Sequence, residues 1–287
     1  MTNDMTSTGA NAQDSWLDIL IKSLSSRQYS PLGEPLPDFP SEELQANTTG
    51  LSADATLRQA HAFYQDVDRA MRSVGCELNP NSKVLDFGFG WGRISRTFME
   101  KASIGNIYGV DVDPAFVDIT RALFKSENFE ACAPYPPTRY QEASFDLVVA
   151  YSVFSHLSEK ACNDWMREFA RIVKPGGIVA WTTRHDSFLN YCDWARQQGD
   201  AVTGYLHALG QLFPDIEDPR ARYRSGQLVH ATSEGVGGGE ARGTSFYGET
   251  WIPEAYARKQ FAEHFAMVAS YFDGTRYDQS CFVFRRK

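Results

Sequence analysis

The chain has 287 residues, of which 43% are hydrophobic, and a formal net charge of −8. This acidic balance, without long Lys/Arg runs, argues against nonspecific nucleic-acid binding, which needs clustered cations to displace phosphate counterions. No apolar run is long enough to span a bilayer, so no membrane association is expected. The polar N-terminus lacks a signal-peptide hydrophobic region, and the five scattered cysteines lack metal-ligand spacing. We therefore expect a cytoplasmic protein with reduced thiols and no metal site.

The first 80 residues predict a tail and a helical extension. Residues 1–13 are rich in Asn, Thr and Ser and are expected to be disordered. In the extension, 14–80, a short helix at 16–21 is expected to pack against the body or a partner. Four prolines in 31–40 predict an extended linker, and one apolar face predicts a helix over 53–75. These helices, or the later insertion, would also allow a homodimer.

Residues 81–184 show a regular alternation of apolar runs and amphipathic segments, typical of a doubly wound α/β fold. Parallel strands with helices on both faces of the sheet follow from this alternation. The predicted strands lie at 84–85, 107–110, 129–132, 145–151 and 178–183, and the predicted helices at 94–99, 114–125 and 158–173.

The regular pattern then breaks. Residues 185–250 contain predicted helices at 187–198 and 201–212 and a Gly-rich stretch at 235–239. This segment is too long for a plain connection, so we interpret it as a functional insertion, a substrate lid. Residues 251–287 predict a helix at 253–265 and two closing strands at 267–272 and 280–284.

A glycine-rich turn follows the first predicted strand. Asp86 precedes Gly88, Gly90 and Gly92, which would let the backbone turn tightly and approach a ligand. A dinucleotide fingerprint would place its third glycine at position 93, which is Arg93 here. Asp86 would also face a pyrophosphate with like charge. The turn therefore favours a ligand with a cationic group.

This turn resembles motif I of the class I S-adenosylmethionine-dependent methyltransferases of small-molecule type. The resemblance implies S-adenosylmethionine as cofactor and a mostly parallel seven-stranded sheet whose last strand is antiparallel. It also implies that the acid of motif I orients the methionine half of the cofactor. The implied cofactor-binding residues are Asp86, Gly88, Phe89, Gly90, Gly92, Asp111, Val112 and Tyr151.

Several positions near the turn have alternative interpretations. Asp111 ends the second predicted strand roughly 20 residues after the turn, where an acid can bind ribose hydroxyls. It could instead cap the next helix, although Asp113 suits that role better. Gly92 could serve packing. Arg93 is expected to face solvent or an acid, with binding of the cofactor carboxylate as a less favoured alternative. The acid that many family members carry on the adenine side is missing, so backbone groups or an aromatic ring would hold the adenine.

The loop after the fourth predicted strand contains His156, the candidate catalytic residue. The resemblance places this loop near the cofactor sulfonium, where a His of near-neutral pKa could take a proton from a substrate hydroxyl. The alternative is a His that caps the following helix or binds backbone. Further polar candidates, each with a structural or surface alternative, are Arg184, His185, His230, Tyr247 and Glu249.

These features predict transfer of a methyl group to a small-molecule acceptor by in-line SN2 attack. The expected acceptor atom is an oxygen of a sugar or secondary metabolite, with nitrogen or carbon as less favoured alternatives. Two other hypotheses remain at this point: a nicotinamide-dependent oxidoreductase, which the glycine spacing and Asp86 oppose, and a non-catalytic protein that binds S-adenosylmethionine.

Overall fold

A computed structural model describes residues 15–237 and 241–287. The predicted disordered tail and residues 238–240 of the Gly-rich stretch lie outside the described residues. Within the described ranges, no helix is both long and apolar enough to cross a membrane.

The centre of the molecule is a seven-stranded sheet of order β3-β2-β1-β4-β5-β9-β8, beside a separate β6-β7 pair. The first five strands are parallel, and β9 runs antiparallel to both of its neighbours. The predicted fold class is confirmed. The strands are β1 (Val84–Phe87), β2 (Ile107–Asp111), β3 (Phe129–Ala131), β4 (Phe145–Ala150), β5 (Val173–Arg184), β6 (Val229–Ala231), β7 (Glu249–Trp251), β8 (Phe265–Asp273) and β9 (Tyr277–Arg286).

Most of the predicted helices are present, with shifted ends, and two helices in irregular sequence were not predicted. The two additions are α2 and α8. The α-helices are α1 (Trp16–Lys22), α2 (Glu42–Thr49), α3 (Ala53–Ser73), α4 (Pro114–Phe124), α5 (Glu159–Ile172), α6 (Phe188–Gln198), α7 (Gly204–Gly210), α8 (Glu217–Arg224) and α9 (Glu254–Gln260).

The helix predicted directly after the glycine turn is wrong in type, because Ser95–Glu100 is a 3-10 helix. Its bonds span three residues, as from Lys101 N to Phe98 O at 3.1 Å. The Thr97 carbonyl, which an α-helix would offer to Lys101, instead accepts the indole N–H of Trp16 at 2.8 Å. A tertiary contact from α1 thus competes with the local helical hydrogen bond.

Alternating side chains of the central strands enter two separate cores. Val84 packs on the face covered by α1, α3 and α4, whereas Leu85 and Phe87 pack on the face covered by α5 and α9. The N-terminal extension is attached to the far edge of the sheet through Asp66 of α3. This buried carboxylate accepts two bonds from Arg276, at 2.7 and 2.8 Å, and one from the Tyr277 hydroxyl at 2.6 Å.

The insertion has a core of its own. Apolar residues of α6 and α7, such as Leu189 and Leu209, pack with Val229 of β6 and with Trp251 of β7. The antiparallel β6-β7 pair, which the sequence did not predict, brings the end of the insertion back to the sheet. The predicted helix over 201–212 is shorter than expected and covers Gly204–Gly210.

Candidate active site

The two predicted carboxylates lie at the ends of neighbouring strands. Asp86 of β1 pairs in register with Gly109 of β2, and Asp111 ends β2 two residues after Gly109. Asp86 accepts the Ser95 hydroxyl at 2.6 Å. Asp111 accepts the backbone N–H of Gly90 at 3.0 Å and that of Asp113 at 2.9 Å. The juxtaposition expected from the sequence is present.

Burial makes this pair of acids electrostatically unusual. Burial raises the pKa of Asp86 to about 7, although the Ser95 hydrogen bonds oppose the shift, and the nearby Asp111 charge adds to it. Burial also raises the pKa of Asp111. Within the described residues, neither carboxylate has a cationic partner within ion-pair distance. A positively charged ligand group would relieve the cost of ionising them.

The three glycines of the turn have positive φ but different surroundings. A Cβ on Gly88 would lie 2.4 Å from a methyl of Val153, and one on Gly92 would lie 2.3 Å from the Phe124 ring. Gly90, with φ of 55°, would meet nothing within 4 Å. Gly88 and Gly92 thus permit close packing, which is the alternative raised for Gly92. Gly90 leaves an open stretch of backbone beside Asp111.

The remaining predicted cofactor residues differ in accessibility. The Phe89 ring is buried and packs edge-on against Phe129, with ring centroids 5.1 Å apart, so only its backbone is available to a ligand. Val112 follows Asp111 and is half-buried. Tyr151 is buried against Phe63, with ring centroids 5.1 Å apart, and its hydroxyl has no hydrogen-bond partner within the described residues.

The expectation that Arg93 faces solvent is wrong, although the charges of Asp86 and Asp278 act on it. Arg93 is buried, with its guanidinium 4.8 Å from the centre of the Tyr151 ring. It donates to Gln59 Oε1 at 2.6 Å and to the Thr56 hydroxyl at 3.3 Å, both on α3. The N-terminal extension therefore supplies the polar partners that a residue in the glycine turn would otherwise find in water.

The loop after β4 carries His156 to the glycine turn. Ser152 has a φ of 58°, and its N–H donates to the Thr182 hydroxyl at 2.7 Å. The next residue, Val153, packs on Gly88, and His156 N donates to Val153 O at 2.9 Å. His156 thus lies one tight turn from the glycine bend.

Hydrogen bonds define the state of the His156 ring. Its Nδ1 lies 2.8 Å from the Gly248 carbonyl oxygen and 3.4 Å from Glu249 Oε1. Because a carbonyl only accepts, Nδ1 carries the proton and Nε2 is left as the acceptor in the neutral ring. The Tyr247 ring stacks on the imidazole, with centroids 4.7 Å apart and an interplanar angle of 4°.

Three of the other polar candidates, Tyr247, Glu249 and Arg184, lie beside His156. Glu249 is fully buried, and its Oε2 accepts Arg184 Nε at 2.7 Å. Its Oε1 accepts the Tyr205 hydroxyl, also at 2.7 Å. Burial opposes the charge on Glu249, but Arg184 and His156 outweigh it and lower the pKa of Glu249 to about 2. Tyr205, from α7, was missed because nothing in its local sequence relates it to Glu249.

The two remaining histidine candidates have separate partners. His230 Nδ1 lies 2.8 Å from the Thr250 hydroxyl, which donates onward to the Leu157 carbonyl at 2.7 Å. His185 binds Ser187 at 2.9 Å and stacks on the exposed ring of Phe272. His185 therefore does not belong to the buried cluster.

The last part of the insertion, residues 241–250, lies across the ends of several strands. Arg242 forms an ion pair of 3.0 Å with Asp113, next to Asp111. Phe246 approaches Tyr135 after β3, with ring centroids 6.3 Å apart, and Tyr247 bridges to Leu157 after β4. The insertion thus covers the edge where the two acids lie.

The residues at this corner fit a nucleoside that carries a positive sulfur. Gly90 leaves open backbone, and each oxygen of Asp111 accepts one hydrogen bond, while a carboxylate can accept about four. The free lone pairs suit a ribose diol. Asp86 and Asp111 together supply negative charge without a protein cation in contact, among the residues that the structure describes.

Comparison with known proteins identifies the same part of the chain. Residues 84–177 match the family model described as a methyltransferase domain. The chain is 29% identical over 162 residues to the ribosomal protein L11 methyltransferase of Burkholderia mallei, covering 55% of this chain and 51% of that protein. The Cupriavidus necator protein of the same name is 30% identical over 131 residues, 44% of this chain and 43% of that protein. The chain thus spans about half the length of these relatives.

Solved structures agree on the fold. A Listeria monocytogenes protein, provisionally described as an S-adenosylmethionine-dependent methyltransferase, superposes with a TM-score of 0.50 at 10% identity. The match covers 79% of this chain and 98% of that one. The family match favours a methyltransferase over the nicotinamide-dependent oxidoreductase. Residues 84–177, about a third of the chain, therefore match a methyltransferase domain, and the fold is that of the Rossmann-like methyltransferases.

Proposed function

We propose that the protein transfers a methyl group from S-adenosylmethionine to an oxygen of a small molecule, a sugar or secondary metabolite, with His156 as general base. The observation that carries this proposal is the His156 ring, whose Nδ1 is bound to Gly248 O at 2.8 Å while Nε2 remains an acceptor. An imidazole in this state has a free lone pair on Nε2 that can take the proton of a hydroxyl.

The binding edge divides into two parts with different tasks. Asp111, Val112 and the open backbone at Gly90 would hold the ribose side of the cofactor. Asp86, at the end of the neighbouring strand, would favour the cationic methionine side. Bound there, S-adenosylmethionine supplies an electrophilic methyl group on a good leaving group, so alignment of the acceptor supplies much of the rate.

The insertion supports a small acceptor. Residues 241–250 cross the strand ends, from the Arg242–Asp113 ion pair to the contact between Tyr247 and Leu157. A cover of this kind restricts entry to a compact molecule and excludes water from the reacting atoms. The lid function predicted for the insertion is part of this proposal.

Methylation of a protein is the second candidate, because the relatives that match part of this chain are named for ribosomal protein L11. The match to them spans about half of their length. A protein acceptor would need the segment 241–250 to move away so that a side chain could reach His156.

The test measures transfer of tritiated methyl from S-adenosylmethionine to a panel of sugars, phenols and hydroxy acids, with purified ribosomal protein L11 as a parallel acceptor. We expect label in a small hydroxylated compound and a roughly 10²–10⁴-fold loss in His156→Gln. Binding of S-adenosylhomocysteine should survive that substitution. Label only in protein, or unchanged transfer by His156→Gln, would reject the proposal; binding without transfer to any acceptor would favour a non-catalytic binder.

A further inference from the structure

The carboxylate of Glu249 faces the proton-bearing nitrogen of His156. Glu249 Oε1 lies 3.4 Å from His156 Nδ1, and the carboxylate has no exposed surface. The two residues lie on different parts of the chain, the loop after β4 and strand β7. Their contact is therefore created by the way the insertion returns to the sheet.

We propose that Glu249 is a positioning residue for His156: it orients the imidazole and stabilises the imidazolium that forms when Nε2 takes a proton. This inference rests on the proposed function, in which His156 is the base. A carboxylate behind a catalytic histidine raises the basicity of the ring and holds it in one orientation.

Glu249 is itself held in place from two sides. Arg184, from the end of β5, binds Oε2, and Tyr205, from α7, binds Oε1, both at 2.7 Å. Arg184 Nη2 also donates to the Tyr205 hydroxyl oxygen at 3.1 Å, so the three side chains are bonded to one another. Because the two partners come from two different segments, the carboxylate cannot turn away without breaking both buried hydrogen bonds.

The two oxygens of Glu249 have different neighbours. Oε2 accepts Arg184 Nε, whereas Oε1, which accepts the Tyr205 hydroxyl, lies on the side of His156. The Gly248 carbonyl already fixes the tautomer, at 2.8 Å from Nδ1. The additional negative charge matters only when the ring becomes positive, which happens during proton uptake.

Other titratable groups around His156 do not replace Glu249. Tyr247 stacks on the ring, and burial raises the pKa of Tyr247 to about 12, so it is neutral. Burial lowers the pKa of His230 on β6, which keeps it uncharged at neutral pH. The positive charge of Arg184 is bound to Oε2, whereas His156 approaches Oε1, so Arg184 weakens the effect of Glu249 on His156.

The proton balance of the transfer is simple. The acceptor O–H bond breaks and its proton moves to Nε2 of His156, while an oxygen lone pair forms the new bond to the methyl carbon. The pair of the broken C–S bond stays on sulfur. The imidazolium beside Glu249 then returns its proton to water.

The test follows the His156 ring of the ligand-free protein by ¹⁵N NMR as a function of pH. His156→Gln assigns the signal, and the compared proteins are wild type, Glu249→Gln, Glu249→Asp and the control Glu254→Gln, a half-buried glutamate that pairs with Arg258. We expect Glu249→Gln to lower the proton affinity of the ring about tenfold, which moves the midpoint about one pH unit down. Glu249→Asp should keep most of that affinity, and the control should match wild type.

A midpoint that Glu249→Gln leaves within about 0.3 pH unit of wild type would overturn the inference. Far-UV circular dichroism and S-adenosylhomocysteine binding establish that each variant is folded. If Glu249→Gln does not fold because Arg184 is left unpaired, the double variant Arg184→Met/Glu249→Gln removes both charges, and a downward shift smaller than that of the single variant is expected, because Arg184 partly offsets the charge of Glu249.

Activity supplies a second readout once an acceptor is known. The acidic limb of the pH–rate profile should move to lower pH by about one unit in Glu249→Gln, with a reduced plateau. An acidic limb that stays at the wild-type pH would contradict the positioning role of Glu249. Failure of the proposed function is distinguishable, because it appears as unchanged transfer in His156→Gln, whereas the NMR midpoint needs no turnover.

Discussion

Two buried carboxylate sites lie along the same edge of the sheet and are perturbed in opposite directions. At the glycine turn, burial raises the pKa of Asp86 to about 7. In the insertion, Glu249 is buried too, but the charge of Arg184 outweighs burial and lowers its pKa to about 2. In the part of the chain that the structure describes, the first site has no cation in ion-pair contact and is uncompensated apart from the more distant Arg93 and Arg242, whereas the second holds its cation in direct contact. Burial alone therefore does not indicate a ligand site; the missing partner does.

The largest effect is expected from breaking the compensated site. Arg184→Met keeps the side-chain volume but leaves Glu249 buried without its cation. We expect a loss of about 3–5 kcal/mol in the free energy of unfolding, measured by urea denaturation. Arg258→Met removes the exposed partner of Glu254 and should change stability by about 0.5 kcal/mol or less. A loss under about 1 kcal/mol in Arg184→Met would contradict a buried, mutually dependent pair.

The next effect comes from the uncompensated site and depends on pH. Burial raises the pKa of the Asp86 carboxyl from its ordinary value of 3.8 to about 7 in the folded protein. Its stabilising contribution is therefore complete below about pH 4 and is lost as pH rises towards 7, because the unfolded chain releases the proton first.

Asp86→Asn should remove this pH-dependent loss of unfolding free energy in the ligand-free protein. Between about pH 5 and pH 8 we expect the variant to gain on the order of 2–3 kcal/mol in unfolding free energy relative to wild type. The exposed Asp118→Asn serves as the control. Parallel stability–pH curves for wild type and Asp86→Asn would show that Asp86 is ionised throughout and that the comparison between the two sites fails.

Asp111 should matter more for the ligand than for the fold. Asp111→Ala removes the carboxylate proposed to bind the ribose hydroxyls, so S-adenosylhomocysteine binding should weaken by about 2 kcal/mol, roughly thirtyfold in Kd. Isothermal titration calorimetry measures this directly, with Asp118→Asn as the control. Equal affinity in Asp111→Ala would remove the ribose assignment and leave the carboxylate as a partner of Gly90 N.

The smallest expected effect comes from the ion pair that links the insertion to the residues beside Asp111. The Arg242–Asp113 ion pair is partly exposed, with about a quarter of each side chain accessible. Arg242→Gln should therefore cost about 0.5 kcal/mol of S-adenosylhomocysteine affinity if the insertion covers the bound ligand. The effect should shrink at high salt, and Arg222→Gln in the same insertion is the control. An effect above about 2 kcal/mol would mean that Arg242 contacts the ligand itself.

The core was predictable from the sequence because its signals are local. Short apolar runs marked the central strands, and strand ends in a parallel sheet meet at one edge, so Asp86 and Asp111 could be expected together. The glycine turn was equally readable, since a tight bend needs residues that tolerate positive φ. The same local signals failed at Ser95–Glu100, where an indole N–H from α1 takes the carbonyl that an α-helix needs.

The surroundings of the candidate site were decided by contacts between distant segments. Arg93 became buried because α3 offers Gln59 and Thr56 as partners. Glu249 reaches His156 because its neighbours Gly248 and Thr250 donate backbone hydrogen bonds, both of 2.8 Å, to the loop that carries His156. Hydrophobic periodicity and turn residues report the structure of neighbours in sequence, whereas the charge state and orientation of a buried group depend on partners that only the folded chain brings within a few ångströms.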